Sequence, residues 1–499
     1  MKMKIKAALQ QMRHARWARI LLPPLSVLLV GIYPAFYYYT QNVANVLLSD
    51  FLRLMPFYLL LTALVYGISL SINRLRTVRA ANAAIVFLVF FNTYGLVFDQ
   101  LREVNLVRVE HLTLLPLYIF LGVYCAWLIT RLNKATSFSL WRIMAVVFTL
   151  LAVYSAIQVV PHEVRKAEGG VEHRVPESEI ASQGDQGGPD IYYLVFDEFA
   201  GFKSMAEYWQ NPASVEFKAY LQQAGFYVVD QSMSSDIWSI HQIATRLNYK
   251  DYKYAKSMEE LYLYAISNNR VMTYLKSRGY TTAVFEQYSW FFPVMPEIQA
   301  DHVFDIKMFE SVISRVVHND FAILVMDGTM LYPISHAGEY LEAKFEPLRR
   351  FFAYTSAEIT NLDEIPSPKF VYLHMLMPHQ PYLYDAAGQK VDPEFYKNWD
   401  YYEGYYEYTI TVIKDMLNGI LANADPANPP VIILQSDHGA RVKANNRWLE
   451  DFPAEFQQDI LFAYYLPGFD TSQLTRDIDP INTFPIVFNH YFGANFPLQ

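Results

Sequence analysis

"VIILQSDHGA", Val431–Ala440, is the stretch on which the fold turns. A short continuous apolar run bounded by turn residues reads as a buried strand. This one drives straight into Asp437 and His438, and Gly439 follows at once. A carboxylate at the end of so apolar a strand needs a partner, because a buried charge is costly unless paired or bound to a metal. Runs of the same type occur at Ile191–Asp197, Tyr280–Glu286 and Lys369–Leu376, with Phe226–Asp230 and Asp459–Gly468 as further candidates. Helical patterns separate them, at Val215–Ala224 (closed by Gly225), Met258–Ser277 and Tyr402–Ala422. Apolar strands alternating with helices predict an α/β domain with a largely parallel sheet covered on both faces.

In such sheets ligands bind beyond the carboxyl ends of the strands. The fold therefore predicts that Asp197 and Glu198, His374 and His379, and Asp437 and His438 meet along one edge. Two aspartates and a histidine suit a divalent cation, zinc or manganese before calcium or magnesium. Each residue also has a plainer reading. An aspartate after a strand is commonly a cap or turn residue, and a lone histidine such as His374 is commonly a hydrogen-bonded core residue.

The first third has a different character. Apolar residues make up 53% of the 499-residue chain and charged residues 18%, a membrane-protein bias. Five apolar stretches, about Ile20–Tyr39, Phe51–Ile72, Ala80–Phe98, Leu112–Ile129 and Ile143–Val160, approach the roughly 20 residues that a crossing needs. Up to residue 160, fifteen Lys or Arg stand against four Asp or Glu; of the total charge of −9, that leaves +11 here and −20 in the remainder. The basic residues cluster before the first run, at Arg74, Arg76 and Arg79, and at Arg131, Lys134 and Arg142. By the positive-inside rule the N-terminus is cytoplasmic, and five crossings place everything after residue 160 outside the cytoplasm. The domains expected are thus 1–160, a five-helix transmembrane bundle; 161–189, a Gly-rich polar linker; and 190–499, the α/β domain. The location expected is the cell (cytoplasmic) membrane, multi-pass. No basic cluster beyond the membrane part suggests nucleic-acid contacts. The single cysteine, Cys125, has no partner for a disulfide.

From about Asp190 to Leu498 the ordered set "DIYYLVFDEFAG", "GFYVVDQSMSSDIWSIHQIATRLN", "FVYLHMLMPHQPY", "VIILQSDHGA" and "NTFPIVFNHYFGA" resembles the sulfatase-like branch of the alkaline phosphatase superfamily. With five membrane helices ahead of it, the chain resembles lipoteichoic acid synthases and lipid phosphoethanolamine transferases. The resemblance implies a hydroxyl nucleophile on a loop entering a helix. Aligned back from Leu247 and Asn248, that position is Ser239, where close relatives carry threonine. Formylglycine sulfatases use a Cys or Ser in C/S-x-P-x-R; Ser239-Ile240-His241-Gln242-Ile243 has neither the proline nor the arginine. The resemblance therefore implies an unmodified hydroxyl and phosphoryl chemistry. Asp197, Ser239, Asp437 and His438 would hold the cation, and Ser239 would attack. His379 or His374 would bind phosphate or supply a proton. A lipid donor in the membrane and a glycan or lipid acceptor are the partners implied. Hydrolysis of a phosphate or sulfate ester, and an inactive envelope relative, are the alternatives. Arg441 reads as a phosphate contact or a salt bridge, Tyr396–Tyr408 as a packed helix start before a sugar platform, and His490 as core.

Overall fold

The computed structural model describes residues 2–104, 110–167, 187–253, 258–441, 443–444, 447–448 and 452–499. The chain forms two compact units, Met1–Gly170 with Ser311–Lys344, and Val171–Glu310 with Phe345–Gln499.

The first unit contains α1 (Lys2–Gln41), α2 (Leu48–Ile72), α3 (Thr77–Phe91), α4 (Tyr94–Val104), α5 (His111–Thr130) and α6 (Lys134–Ala167). Among the described residues four helical stretches are long and apolar enough to cross a membrane, in α1, α2, α5 and α6. A fifth span results if α3 and α4, bent by 41°, count as one. The expected third stretch, Ala80–Phe98, is thus broken. Asn92 Nδ2 donates to Leu88 O (2.8 Å) and Thr93 Oγ1 to Val89 O (2.7 Å). Side chains that bond back onto the preceding turn bend a helix in this way. Of the expected linker, 161–167 instead extends α6 through Pro161, and Glu163 there accepts from Tyr39 Oη at 2.7 Å. Residues 168–186 lie outside the described residues. The expected 190–499 domain is interrupted in one place, because Ser311–Lys344 packs within the first unit.

The second unit is built on a seven-stranded sheet of order β2-β9-β6-β1-β5-β3-β4. Its strands are β1 (Ile191–Phe196), β2 (Tyr227–Val228), β3 (Thr281–Glu286), β4 (His302–Asp305), β5 (Lys369–Met375), β6 (Val431–Ser436) and β9 (Phe462–Tyr465). A separate two-stranded hairpin joins β7 (Lys443–Ala444) to β8 (Arg447–Trp448). β1 runs parallel to both β5 and β6, and β9 is antiparallel to β6. β1, β5 and β6 are buried along their whole length, which is why they read as unbroken apolar runs. Rings continue the core across the sheet, with Tyr193 stacked on Tyr372 (5.4 Å) and edge-on to Phe484 (5.1 Å). The expected helix Met258–Ser277 is two, Glu259–Ser267 and Arg270–Ser277, because Asn269 accepts from Met272 N (2.9 Å) and starts the second. His490, read as core, is exposed on the last turn of the helix Thr483–Phe492. The reading of Tyr396–Tyr408 as packing holds: Tyr396, Tyr402, Tyr405 and Tyr406 are buried.

Candidate active site at the carboxyl edge of the sheet

The register aligns the ends of three strands. Phe196 lies beside Met375 and Ser436, so the residues that follow emerge together. Asp197 leaves β1 with its N–H donating to Met375 O at 2.9 Å. Glu198 is held at φ +62°, a left-handed backbone that costs a non-glycine residue about 1 kcal/mol or more. Bonds on both sides fix it there. Its N–H donates to Asp437 Oδ1 (3.0 Å), and Tyr402 Oη donates to its carbonyl (2.8 Å). His438 N–H reaches the same Asp437 Oδ1 at 2.8 Å. Gly439 follows because the chain runs tight here: a Cβ would fall 2.2 Å from Phe456 O and 2.6 Å from Asp459 O.

Five side chains converge beyond these ends. His374 Nε2 lies 3.6 Å from Asp197 Oδ2 and 3.7 Å from Asp437 Oδ2. His438 Nε2 lies 3.7 Å from Asp197 Oδ1 and 3.4 Å from Asp437 Oδ2. Ser239 opens the helix Ser239–Asn248, and its Oγ is 3.3 Å from His438 Nε2. His438 Nδ1 faces Gly439 O at 2.7 Å and so carries the ring proton. The Nε2 lone pair therefore points at Ser239 and the carboxylates. A helix N-terminus favours negative charge, so the hydroxyl sits where an anionic group would be stabilised.

The donor set fits a cation. Asp197 Oδ1, Asp437 Oδ2 and His374 Nε2 are buried and have no hydrogen-bond partner. Buried polar atoms are rarely left this way. Asp197, His374 and Asp437 form one group able to hold an ion, and Asp197 is shared with a second, with Glu198 and His379. Burial and the neighbouring Asp437 charge push the Asp197 carboxyl well above its usual range. Burial also opposes charge on Asp437, but the His438 and His374 rings and the Glu198 amide outweigh it and hold that carboxyl low. Burial lowers all three imidazoles, His374 and His438 to about 4 and His379 to about 3. They are neutral near pH 7, the form that ligates metal.

The sequence-derived residues thus come together, with one rearrangement. His374 stands between the two aspartates, whereas His379 lies to one side with Nε2 3.5 Å from Glu198 Oε2. Arg441 also faces Glu198, its N–H donating to Oε1 at 2.5 Å and its Nε at 3.8 Å, while Nη1 donates to Ile237 O at 3.3 Å.

Two supports escaped the sequence reading. Arg246, fully buried on the Ser239 helix, donates to Ser436 O (2.7 Å) and Asp437 O (2.6 Å). It ties the Ser239 helix to the strand end that carries Asp437 and His438. His241, two residues past Ser239, is gripped by Asp236 on one side and Tyr252 O on the other. Neither stands at a strand end, and nothing local in the sequence marks either as a support.

The family model described as Sulfatase matches residues 191–462. No curated protein matches the chain. Among solved structures, the chain is similar to the soluble domain of lipooligosaccharide phosphoethanolamine transferase A from Neisseria meningitidis, at 15% identity over 62% of this chain and 90% of that one, TM-score 0.41. It is similar to the integral membrane form of that enzyme at 14% identity over 88% of each chain, TM-score 0.35. It is also similar to the zinc complex of the C-terminal periplasmic domain of EcEptC from Escherichia coli, at 14% identity over 62% of this chain and 84% of that one, TM-score 0.39.

Proposed function

The chain belongs to the sulfatase family, within the alkaline phosphatase superfamily, and from that premise we propose that it is a metal-dependent transferase. It moves a phosphate-linked head group from a membrane lipid to an envelope glycan or lipid through a phosphorylated Ser239. One observation carries the reading: the Ser239 hydroxyl stands 3.3 Å from His438 Nε2, at a helix N-terminus, beside three buried donor atoms without partners. The membrane helices supply the reason for a lipid donor, since one crossing suffices for an anchor and among the described residues at least four helices are long and apolar enough to cross. By charge, the N-terminus is cytoplasmic and the sheet unit external.

In this reading Asp197, Asp437 and His438, with Ser239, hold a divalent cation, zinc or manganese by the donor chemistry. His374, poised between the two aspartates, is a further ligand candidate. When bound, the ion lowers the pKa of the Ser239 hydroxyl and offsets charge on the phosphate oxygens. Ser239 Oγ attacks phosphorus, the bond from phosphorus to the lipid oxygen breaks, and the lipid alcohol leaves. Its oxygen takes the proton that Ser239 Oγ gives up, relayed by the neutral His379 ring, whose Nε2 lies 3.5 Å from Glu198 Oε2 and whose Nδ1 faces Gln380 O. The acceptor hydroxyl then attacks the same phosphorus, the bond from Ser239 Oγ to phosphorus breaks, and the acceptor's proton passes through the same ring to Ser239 Oγ. Arg441 holds Glu198 and lines the approach to phosphate. The test is to incubate purified protein with phospholipid labelled in the head-group phosphate and weigh the tryptic peptide bearing Ser239. Added head-group mass that disappears in Ser239→Ala supports the reading. Lipid alcohol released at the wild-type rate by Ser239→Ala sinks it. Free head group without transfer assigns a hydrolase.

A further inference from the structure

Ser311–Lys344 follows β4 in the sequence, yet packs within the membrane unit. Its backbone is stitched to the break between α3 and α4. Gly95 N–H donates to Gly328 O (3.2 Å) and Met330 N–H to Phe91 O (2.9 Å). The approach at Gly95 is so close that a Cβ there would fall 1.6 Å from Asp327 O. Phe321 and Val325, on the helix Asp320–Asp327, are buried with Tyr39 and Tyr58. Tyr332 Oη donates to Asp99 Oδ1 at 3.3 Å. These partners stand at the ends of α1 to α4 that lie away from Arg74, Arg76, Arg79, Arg131 and Lys134. The charge rule makes that end the outer one.

The segment exposes apolar side chains beside the charged Arg315, Asp320 and Glu339. Val312 is 78% exposed, Ile313 71% and Ile334 51%. Ile313 and Val317, both exposed, are one turn apart on the helix Val312–Val317 and share a face. Clustered exposed apolar side chains mark an interaction surface. Here that surface continues the exposed apolar flank of α2, with which the same short helix packs. A lipid bilayer is the occupant consistent with that continuity.

We propose that Ser311–Lys344 lies in the outer membrane–water interface, its Val312, Ile313, Val317 and Ile334 side chains immersed among lipid chains. Membrane attachment is then built at two places in the sequence, one ahead of the sheet unit and one between β4 and β5. An apolar face of this kind reaches about 5–10 Å into the boundary between head groups and acyl chains. The inference rests on α1–α6 being membrane-embedded.

The test uses the full chain with Cys125→Ser as background, reconstituted in phosphatidylcholine–phosphatidylglycerol vesicles. Single spin labels are placed at Ile313→Cys, Val312→Cys, Leu150→Cys on α6 and Glu394→Cys on the sheet unit, all exposed positions. The ratio of accessibility to oxygen over a water-soluble nickel chelate is read by power saturation. We expect Ile313 and Val312 to exceed Glu394 several-fold and to approach Leu150. If both match Glu394 while Leu150 reads as lipid-exposed, the inference is overturned and the membrane reading stands. If Leu150 also reads as water-exposed, the membrane reading falls and takes the inference with it.

Discussion

Replacing Arg246 with Met tests how the site is held. The guanidinium is fully buried and its two terminal nitrogens donate to Ser436 O and Asp437 O at 2.7 and 2.6 Å. Methionine fills similar space but donates nothing, so two buried carbonyls lose their partners. At about 1–3 kcal/mol for each such group, the loss is about 2–6 kcal/mol. At about 2 °C per kcal/mol for a domain of this size, the melting temperature falls by about 4–12 °C. A second consequence is specific to the site. Arg246 sits on the Ser239 helix and grips the carbonyl of Asp437 itself, so the carboxylate, the imidazole beside it and the hydroxyl lose their common register. Loss of an outer support of a metal site costs about 10–100-fold in affinity. Calorimetric zinc titration of metal-free Arg246→Met and wild type, with thermal melts of both, reads the two effects. Zinc affinity within twofold of wild type would refute the positioning argument, whatever the melt shows. A melting temperature within a degree of wild type would refute the stability argument.

Ser239→Ala should lower transfer by roughly 10³-fold or more, as removal of a nucleophile does, whereas Ser239→Thr keeps a hydroxyl and should retain the covalent adduct; mass spectrometry of the trapped peptide separates them. Gly439→Ala places a methyl against Phe456 O and Asp459 O and should destabilise the sheet unit by about 1–3 kcal/mol, read by thermal melts. Glu286, buried and beside Asp305, has its pKa raised from 4.5 to about 7. Its ionised form therefore costs stability that is absent below 4.5 and grows as pH rises through 7. Glu286→Gln keeps the acceptor for Ser289 N–H and should be the more stable protein at pH 8, by on the order of 3 kcal/mol. The difference should vanish near pH 4.5, and paired melts across that range check it.

The sheet was legible because its central strands are buried on both faces, so Ile191–Phe196, Lys369–Met375 and Val431–Ser436 carry no alternation to blur them. The site follows from the rule for strand ends, which places Asp197, His374, Asp437 and His438 along one edge. Ser239 came from the motif resemblance, because a serine opening a helix is indistinguishable from a cap. The supports stayed hidden. Arg246 looks like a surface charge until the buried carbonyls of Ser436 and Asp437 are seen to need it. In sequence Ser311–Lys344 reads as part of the α/β domain because its short helices, Val312–Val317 and Asp320–Asp327, are too brief for a membrane signal. The bend at Asn92–Thr93 lay inside an apolar run that hydropathy alone passes over.

The most direct measurement is an anomalous difference map at the zinc edge from crystals of the zinc-loaded protein. The account predicts a peak about 2.0–2.2 Å from an Asp197 oxygen, an Asp437 oxygen and the His438 Nε2, with the Ser239 Oγ in reach. A peak elsewhere, or none at saturating zinc, would contradict it.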